Sequence, residues 1–250
     1  MSAIAMTMHS WPGRARPYKL VPNLRKYFQT RYGLTGESIV STLRETPHGP
    51  LGSITVFERM PPPANAGGNT PLQRARSVAR SLLEKEAGLL DIADAAEIEE
   101  SELRITAGGK AHITFQRYIG GLLLADMHIQ IDIDPDGTIR QFHATLVPVS
   151  YALYSAVNRA TISKHEVKAI VERDLAKPDQ QAAVVIGEPT LGAIWRPPYV
   201  RWTATGSRGV GKPPWGYWID AFSGEILTKS CMAMRQYIQA PAPDGPTPCD

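Results

Sequence analysis

Apolar residues recur at helical spacing in three segments of the chain. One predicted helix begins with a capping box at residues 70–73 (Thr-Pro-Leu-Gln) and ends at Gly88. A second begins with a capping box at residues 163–166 (Ser-Lys-His-Glu) and ends at residues 177–178 (Lys-Pro). A third, shorter helix is predicted within residues 18–32.

After each of the two longer helices the apolar residues alternate with polar ones, which is typical of strands. Turn sequences at residues 120–121 (Gly-Gly) and 135–137 (Pro-Asp-Gly) separate three strands of an antiparallel meander. A change of parity between Ile139 and Phe142 predicts a bulge in the third strand. The acidic segment 91–102 predicts a loop with one turn of helix. Further strands are predicted at residues 39–43, 53–57, 191–195, 199–205, 215–220 and 225–229.

This order of elements predicts an α+β protein made of two helix-plus-antiparallel-meander units, at residues 37–150 and 151–230. Each meander is expected to place one face on its helix and the other toward water or a partner. Residues 1–36 form an N-terminal extension in this division, and residues 231–250 form a Pro-rich tail that is predicted to be disordered.

Composition narrows the class of protein. The 250 residues are 43% hydrophobic and 20% charged, which is ordinary for a chain with a packed core. The net charge of +3, from 27 basic and 24 acidic residues, does not favour nucleic acid as a partner. No apolar run reaches the length of about 18 residues that a membrane helix needs. The first residues make a poor signal peptide, so we expect a cytoplasmic protein or one exported without a classical signal peptide.

Cys231 and Cys249 are the two cysteines of the chain. They could close one short loop in an oxidising compartment or remain as two thiols in a reducing one, and we favour the thiols. The basic residues near the start of the chain suggest either a solvated extension or an arm that contacts an acidic partner.

Three segments together carry a resemblance to a known family. They are residues 112–120 (His-Ile-Thr-Phe-Gln-Arg-Tyr-Ile-Gly), 133–137 (Ile-Asp-Pro-Asp-Gly) and 217–227 (Tyr-Trp-Ile-Asp-Ala-Phe-Ser-Gly-Glu-Ile-Leu). In this order they resemble the FTP and PepSY units in the propeptide region of thermolysin-like and fungalysin-like metalloproteases. The resemblance covers roughly residues 70–230, and makes the first predicted unit FTP-like and the second PepSY-like.

The resemblance implies that such units assist the folding of a C-terminal zinc protease and block its active site. After Lys229 the sequence is too short to contain that protease. We therefore expect that any inhibition or chaperoning acts on a separate chain.

Three histidines form a candidate zinc site. His112, His128 and His143 share the polar parity of three neighbouring predicted strands, where three imidazoles could bind zinc. The favoured alternative is that they are ordinary residues of a polar sheet face. A register slip of one residue would move His143 to the other face.

Other motif fragments lack an essential part. His165-Glu166 has no second histidine for a zinc protease, so Glu166 is interpreted as a capping residue. The aspartates of residues 132–137 start a calcium loop that lacks its final Glu, which leaves a hairpin turn or a weak calcium site.

The tryptophans 195, 202, 215 and 218 predict either core packing or a partly exposed aromatic patch.

Residues 206–212 come close to a phosphate-binding P-loop, but a proline follows where that motif needs Ser or Thr. We predict a hairpin loop, with Gly206, Arg208 and Lys212 as candidate partner-binding residues.

The sequence predicts neither catalytic residues nor a cofactor, so the protein is expected not to be an enzyme. The leading hypothesis is a stand-alone, propeptide-like module that binds another protein, a separately encoded metalloprotease that it inhibits or chaperones. A structural or cargo component of a larger assembly is the first alternative. A metal-binding protein that uses the histidine cluster is the second.

Overall fold

The computed structural model describes residues 23–46, 49–64, 66–92, 94–147, 155–159, 161–176, 182–192, 200–208 and 213–232. Its strands are β1 (Ile39–Thr46), β2 (Gly49–Val56), β3 (Ile98–Ile105), β4 (Ala111–Ile119), β5 (Leu122–Ile133), β6 (Ile139–Leu146), β7 (Ala183–Ile186), β8 (Thr190–Leu191), β9 (Val200–Ser207), β10 (Trp215–Asp220) and β11 (Ile226–Cys231). The helices considered below are α1 (Leu24–Tyr32), α2 (Pro71–Glu86) and α3 (Lys164–Leu175), with a 3-10 turn at Ala95–Glu97.

All eleven of these strands join in one mixed sheet, so the prediction of two separate helix-plus-meander units is wrong. Two connections unite the strands. The β1–β2 hairpin adds to the edge of β6, and the short strand β8 pairs in parallel with β5 and antiparallel with β9. The division of the chain into domains at residues 37–150 and 151–230 stays a prediction.

The predicted starts of the two longer helices are confirmed. Thr70 and Ser163 accept hydrogen bonds from the backbone N–H groups of Gln73 and Glu166, whose side chains bond back to the cap residues. These reciprocal bonds satisfy donors that the first helical turn cannot pair internally. The shorter helix is also confirmed, and it ends at Gly33 with a left-handed φ of 68°.

The acidic segment contains one turn of 3-10 helix, as predicted, but strand β3 begins at Ile98 where we expected a loop. This strand pairs with β4 alone among the described strands. Its charged residues are typical of an edge strand, where they discourage pairing with a second chain. The bulge predicted after Ile139 is confirmed, because Ile133 pairs with Ile139 and Asp132 pairs with Gln141.

One side of the sheet, called the inner face, carries the core and the helices. Phe28 of α1 is fully buried, with its ring centre 6.0 Å from that of Phe142 on β6. In the second half, Tyr217 of β10 is buried and donates a hydrogen bond of 2.7 Å to Asp174 of α3. Buried apolar residues continue across the inner face at Ile113, Phe115, Ile129, Ile131, Ala144, Leu191, Val200, Trp202 and Ile219.

A buried carboxylate fastens α1 to α2. Glu86 accepts hydrogen bonds from the hydroxyl groups of Tyr27 at 2.7 Å and Tyr32 at 2.5 Å, and from Nε of Arg31 at 2.7 Å. Burial, reinforced by Glu86, raises the pKa of Tyr27 to about 12. The helix that was assigned to an N-terminal extension is therefore part of the folded core.

A second buried ion pair lies under β4. Arg117 is fully buried, and its Nε and Nη2 atoms donate to one oxygen of Glu97 at 2.9 and 2.6 Å. The guanidinium also donates to the backbone oxygen of Asp91 at 2.7 Å. These bonds compensate the loss of hydration of a charge that stands at an inward-facing position.

Cys231 at the end of β11 is disulfide-bonded, so the preference for two free thiols is wrong. Cys249 and the rest of the Pro-rich tail beyond residue 232 lie outside the described residues, as do residues 1–22. Within the described ranges, no helix combines the length and apolarity needed to cross a membrane.

Candidate binding surface

The side of the sheet opposite the described helices is called the outer face. Its residues alternate with the core and are half-buried or exposed. The face continues from one half to the other because Leu124 and Leu191 pair in parallel and both point inward, which turns their neighbours Leu123 and Thr190 outward.

An aromatic patch lies on this face where β7, β9 and β10 run side by side. Trp218 is 45% exposed and pairs with Thr203 of β9. The guanidinium carbon of Arg201 lies 5.3 Å from the centre of the Trp218 ring, within cation–π range. Val185 of β7, which is 69% exposed, has the same outward parity. We call Val185, Arg201, Thr203 and Trp218 the Trp218 patch.

Arg201 is a partly desolvated positive charge within the patch. Burial lowers the pKa of Arg201 from its ordinary value, while the carboxylates of Asp126 and Asp220 act in the opposite direction. The guanidinium group of an arginine stays protonated in proteins, so Arg201 carries its positive charge at neutral pH. The patch thus combines a fixed charge with an exposed aromatic ring.

The remaining tryptophans behave differently from Trp218. Trp202 is buried on the inner face, and Trp215 is half-buried beside the ammonium group of Lys229, which lies 4.7 Å from its ring centre. Trp195 lies outside the described residues. Core packing therefore describes Trp202, and a partly exposed aromatic position describes Trp218.

The predicted partner-binding loop is described only in part. Gly206 lies within β9, paired with Val184 and Trp215, and is buried where a side chain would collide with Leu175 of α3. Arg208 is half-buried just after the strand, and Lys212 lies outside the described residues.

Two of the three predicted histidines meet on the outer face. His128 of β5 and His143 of β6 have ring centres 5.1 Å apart, with the rings tilted by 35°. His143 pairs across the strands with Gln130, which makes His128 its diagonal neighbour. The pKa of His143 is lowered by burial first and then by the nearby His128.

His112 stands apart from this pair. It pairs with Asp132, and its Nδ1 atom lies 2.5 Å from a carboxylate oxygen of that residue. A shallow pocket of about 320 Å³ opens beside them, lined also by Lys110 and Arg140. In the described part of the chain, no three or more His, Cys, Asp or Glu side chains are placed to share a metal ion.

The aspartates of the fragmentary calcium loop face different partners. Asp132 contacts His112, and Asp134 accepts a 2.8 Å hydrogen bond from Arg59. Asp136 accepts one of 2.9 Å from the backbone N–H of Thr138. Asp136 therefore stabilises a hairpin turn, which agrees with the hairpin interpretation of this segment and not with the calcium-site interpretation.

A separate apolar pocket of about 240 Å³ opens between α2, the 3-10 turn and β4. Arg80, Glu84 and Asp94 provide its charged groups. Its apolar lining consists of Leu83, Ala87, Ile92, Ala95, Ile98 and Phe115. The pocket belongs to the helix-covered side of the sheet, away from the Trp218 patch.

The sequence did not single out Val185, Arg201 or Thr55, whose Oγ1 lies 2.8 Å from Nδ1 of His143 on the outer face. The alternation of Val200, Arg201 and Trp202 could have predicted that Arg201 faces outward, because its two apolar neighbours face the core. For Val185 no such signal existed, since β7 is four residues long.

No protein-family model matches the chain, and no curated protein matches it. Among solved structures, the Bacillus megaterium YpeB C-terminal domain is a weak neighbour, with 13% identity and a TM-score of 0.31. The match covers 85% of this chain and 98% of that chain.

Proposed function

We propose that this protein is a propeptide-like module that binds another protein through the Trp218 patch. In this proposal the partner is a separately encoded metalloprotease, which the module inhibits or chaperones. The protein acts by contact and not by catalysis, and it needs no cofactor.

The observation that supports the proposal is the cation–π contact between Arg201 and the exposed ring of Trp218 on the outer face. Tryptophan and arginine are enriched among the residues that dominate binding energy at protein interfaces. The Arg201 side chain is already partly desolvated and stacked, so a partner would order it at a reduced entropic cost. The small hydroxyl side chain of Thr203 beside them lets a partner approach the ring closely.

The choice of a metalloprotease comes from the resemblance of residues 112–120, 133–137 and 217–227 to propeptide units. The disulfide at Cys231 supports action outside a reducing cytosol, since disulfides persist in oxidising compartments. Export without a classical signal peptide is the localisation that we propose.

The test mixes the purified protein with thermolysin and measures peptide hydrolysis and complex formation at micromolar concentrations. We expect inhibition or a complex with the parent chain, and a loss of binding of at least tenfold with Trp218→Ala. Absence of both signals would contradict binding to thermolysin and count against inhibition of this class of protease.

A matched control is available at Phe57, an aromatic residue that is 54% exposed near the β2 end of the sheet. We expect Phe57→Ala to bind like the parent. Equal effects of Phe57→Ala and Trp218→Ala on binding would show that the Trp218 patch is not the binding site, although the protein would still bind the protease.

A further inference from the structure

We propose that His128 and His143 form a two-histidine site for a divalent transition metal, of the group Zn²⁺, Cu²⁺ and Ni²⁺. The site lies on the outer face, on strands β5 and β6, and it is independent of the Trp218 patch. Imidazole nitrogen suits these three ions better than it suits Mg²⁺ or Ca²⁺.

The strand register brings the two rings together. His128 and His143 are diagonal neighbours on adjacent strands, and their ring centres are 5.1 Å apart. Two nitrogens that bind one ion at about 2.0–2.1 Å each must lie roughly 3 Å from one another. The proposal requires the two Nε2 atoms to reach that distance by side-chain rotation from rings whose centres lie 5.1 Å apart.

Threonine hydroxyls orient both rings. Nδ1 of His143 lies 2.8 Å from Oγ1 of Thr55 on β2, and Nδ1 of His128 lies 3.3 Å from Oγ1 of Thr145 on β6. Each hydroxyl can accept a hydrogen bond from Nδ1–H, which places the lone pair of the ring on Nε2. Metal-binding histidines are commonly held in this way, with the second ring nitrogen bonded to a protein acceptor.

The side chains that pair with the two histidines across the sheet are polar and uncharged. The cross-strand neighbours of the two histidines are Gln116 for His128, and Gln130 and Thr55 for His143, and these side chains carry no charge. With two protein ligands, the other coordination positions of the ion stay with water.

His112 provides the internal comparison. It lies on the same face, on β4, but its Nδ1 is bonded to Asp132. The residue of β4 that pairs with His128 is Gln116, four residues further along the strand than His112. His112 is therefore too far along the sheet to join the same ion, and its replacement should leave metal binding unchanged.

The experiment titrates the tag-free protein with ZnCl₂, CuCl₂ and NiCl₂ by isothermal calorimetry at pH 7.5. We expect one bound equivalent, with affinity reduced at least tenfold in His128→Gln and in His143→Gln, and parental affinity in His112→Gln. Binding that is equally strong in all four proteins would overturn the proposal, as would no heat from any of the three ions at millimolar concentration.

Two further measurements separate metal binding from folding. Thr55→Val keeps both imidazoles but removes the acceptor for His143, and we expect a severalfold weaker site. In the unmodified protein, ¹⁵N spectra of the imidazoles should show Zn²⁺-dependent shifts of Nε2 in two rings, those of His128 and His143. Shifts confined to other histidines would contradict the assignment.

Discussion

The three hydrogen bonds that Glu86 accepts allow a prediction about stability. Replacing Glu86 by Gln keeps the shape of the side chain, but it removes the negative charge and turns one acceptor oxygen into an amide that cannot accept. Arg31, Tyr27 and Tyr32, the three donors on α1, then compete for one oxygen. We expect α1 to detach more readily from α2.

The size of the effect follows from the kind of bonds that are lost. A hydrogen bond to a charged group contributes about 1.5–3 kcal/mol, against about 1 kcal/mol for a neutral pair. Breaking a buried ion pair costs about 3–5 kcal/mol, but the 35% exposure of the Arg31 side chain lowers the loss here. We therefore expect the free energy of unfolding to fall by about 3 kcal/mol in Glu86→Gln.

Urea denaturation, followed by circular dichroism, measures this difference directly. Hydrogen exchange should also become faster in α1 than in α2, because α1 loses its attachment. Glu84→Gln is the control, since Glu84 is an exposed carboxylate on the same helix and its replacement should change stability by less than about 0.5 kcal/mol. A loss below about 1 kcal/mol in Glu86→Gln, with unchanged exchange in α1, would refute the reasoning.

Three other predictions concern the core, the titration of His143 and the disulfide. Phe28→Ala should lower the free energy of unfolding by about 3–5 kcal/mol, measured by urea denaturation, because the ring is fully buried. Because the pKa of His143 is lowered by folding, the unfolded chain takes up its proton first, near pH 6.5. Stability should therefore fall as the pH drops from 7.5 to 5.5, and thermal melts of His143→Gln should show a smaller decrease. Thiol titration of the denatured, unreduced protein should detect no free thiol, since Cys231 is disulfide-bonded; two thiols per chain would contradict this.

The helices could be predicted because their start signals are local. The capping boxes at residues 70–73 and 163–166 contain both partners of each hydrogen bond within four residues. No distant contact is needed to form these bonds, so the sequence pattern was sufficient. The bulge after Ile139 was predictable for the same reason, since it shows as a change of parity within one strand.

The single sheet could not be predicted in this way. Pairing between β2 and β6 joins residues such as Thr55 and His143, which are far apart in the chain, and periodicity contains no information about which strands meet. The pairing of β5 with β8 involves two residues on each strand, too few to produce a pattern. Edge strand β3 was missed because its acidic residues are unusual in strands.

The candidate surfaces were predicted in part. Shared parity on neighbouring strands predicted that His128 and His143 lie on one sheet face, and their ring distance of 5.1 Å agrees with this. Parity could not reveal that His112 pairs with Asp132, because that pairing depends on the exact register of the strands. The outward position of Trp218 follows from its pairing with Thr203, and core packing is the usual expectation for a tryptophan.

The two-residue strand β8 has a consequence for how the molecule opens. Its ladder to β5 contains the pairs of Leu123 with Thr190 and of Leu124 with Leu191, so few backbone hydrogen bonds cross this junction. Cohesion there comes instead from buried apolar side chains, Leu124, Leu191 and Val200. We expect that a substitution which weakens the packing of these side chains would make the two parts of the sheet melt at different temperatures.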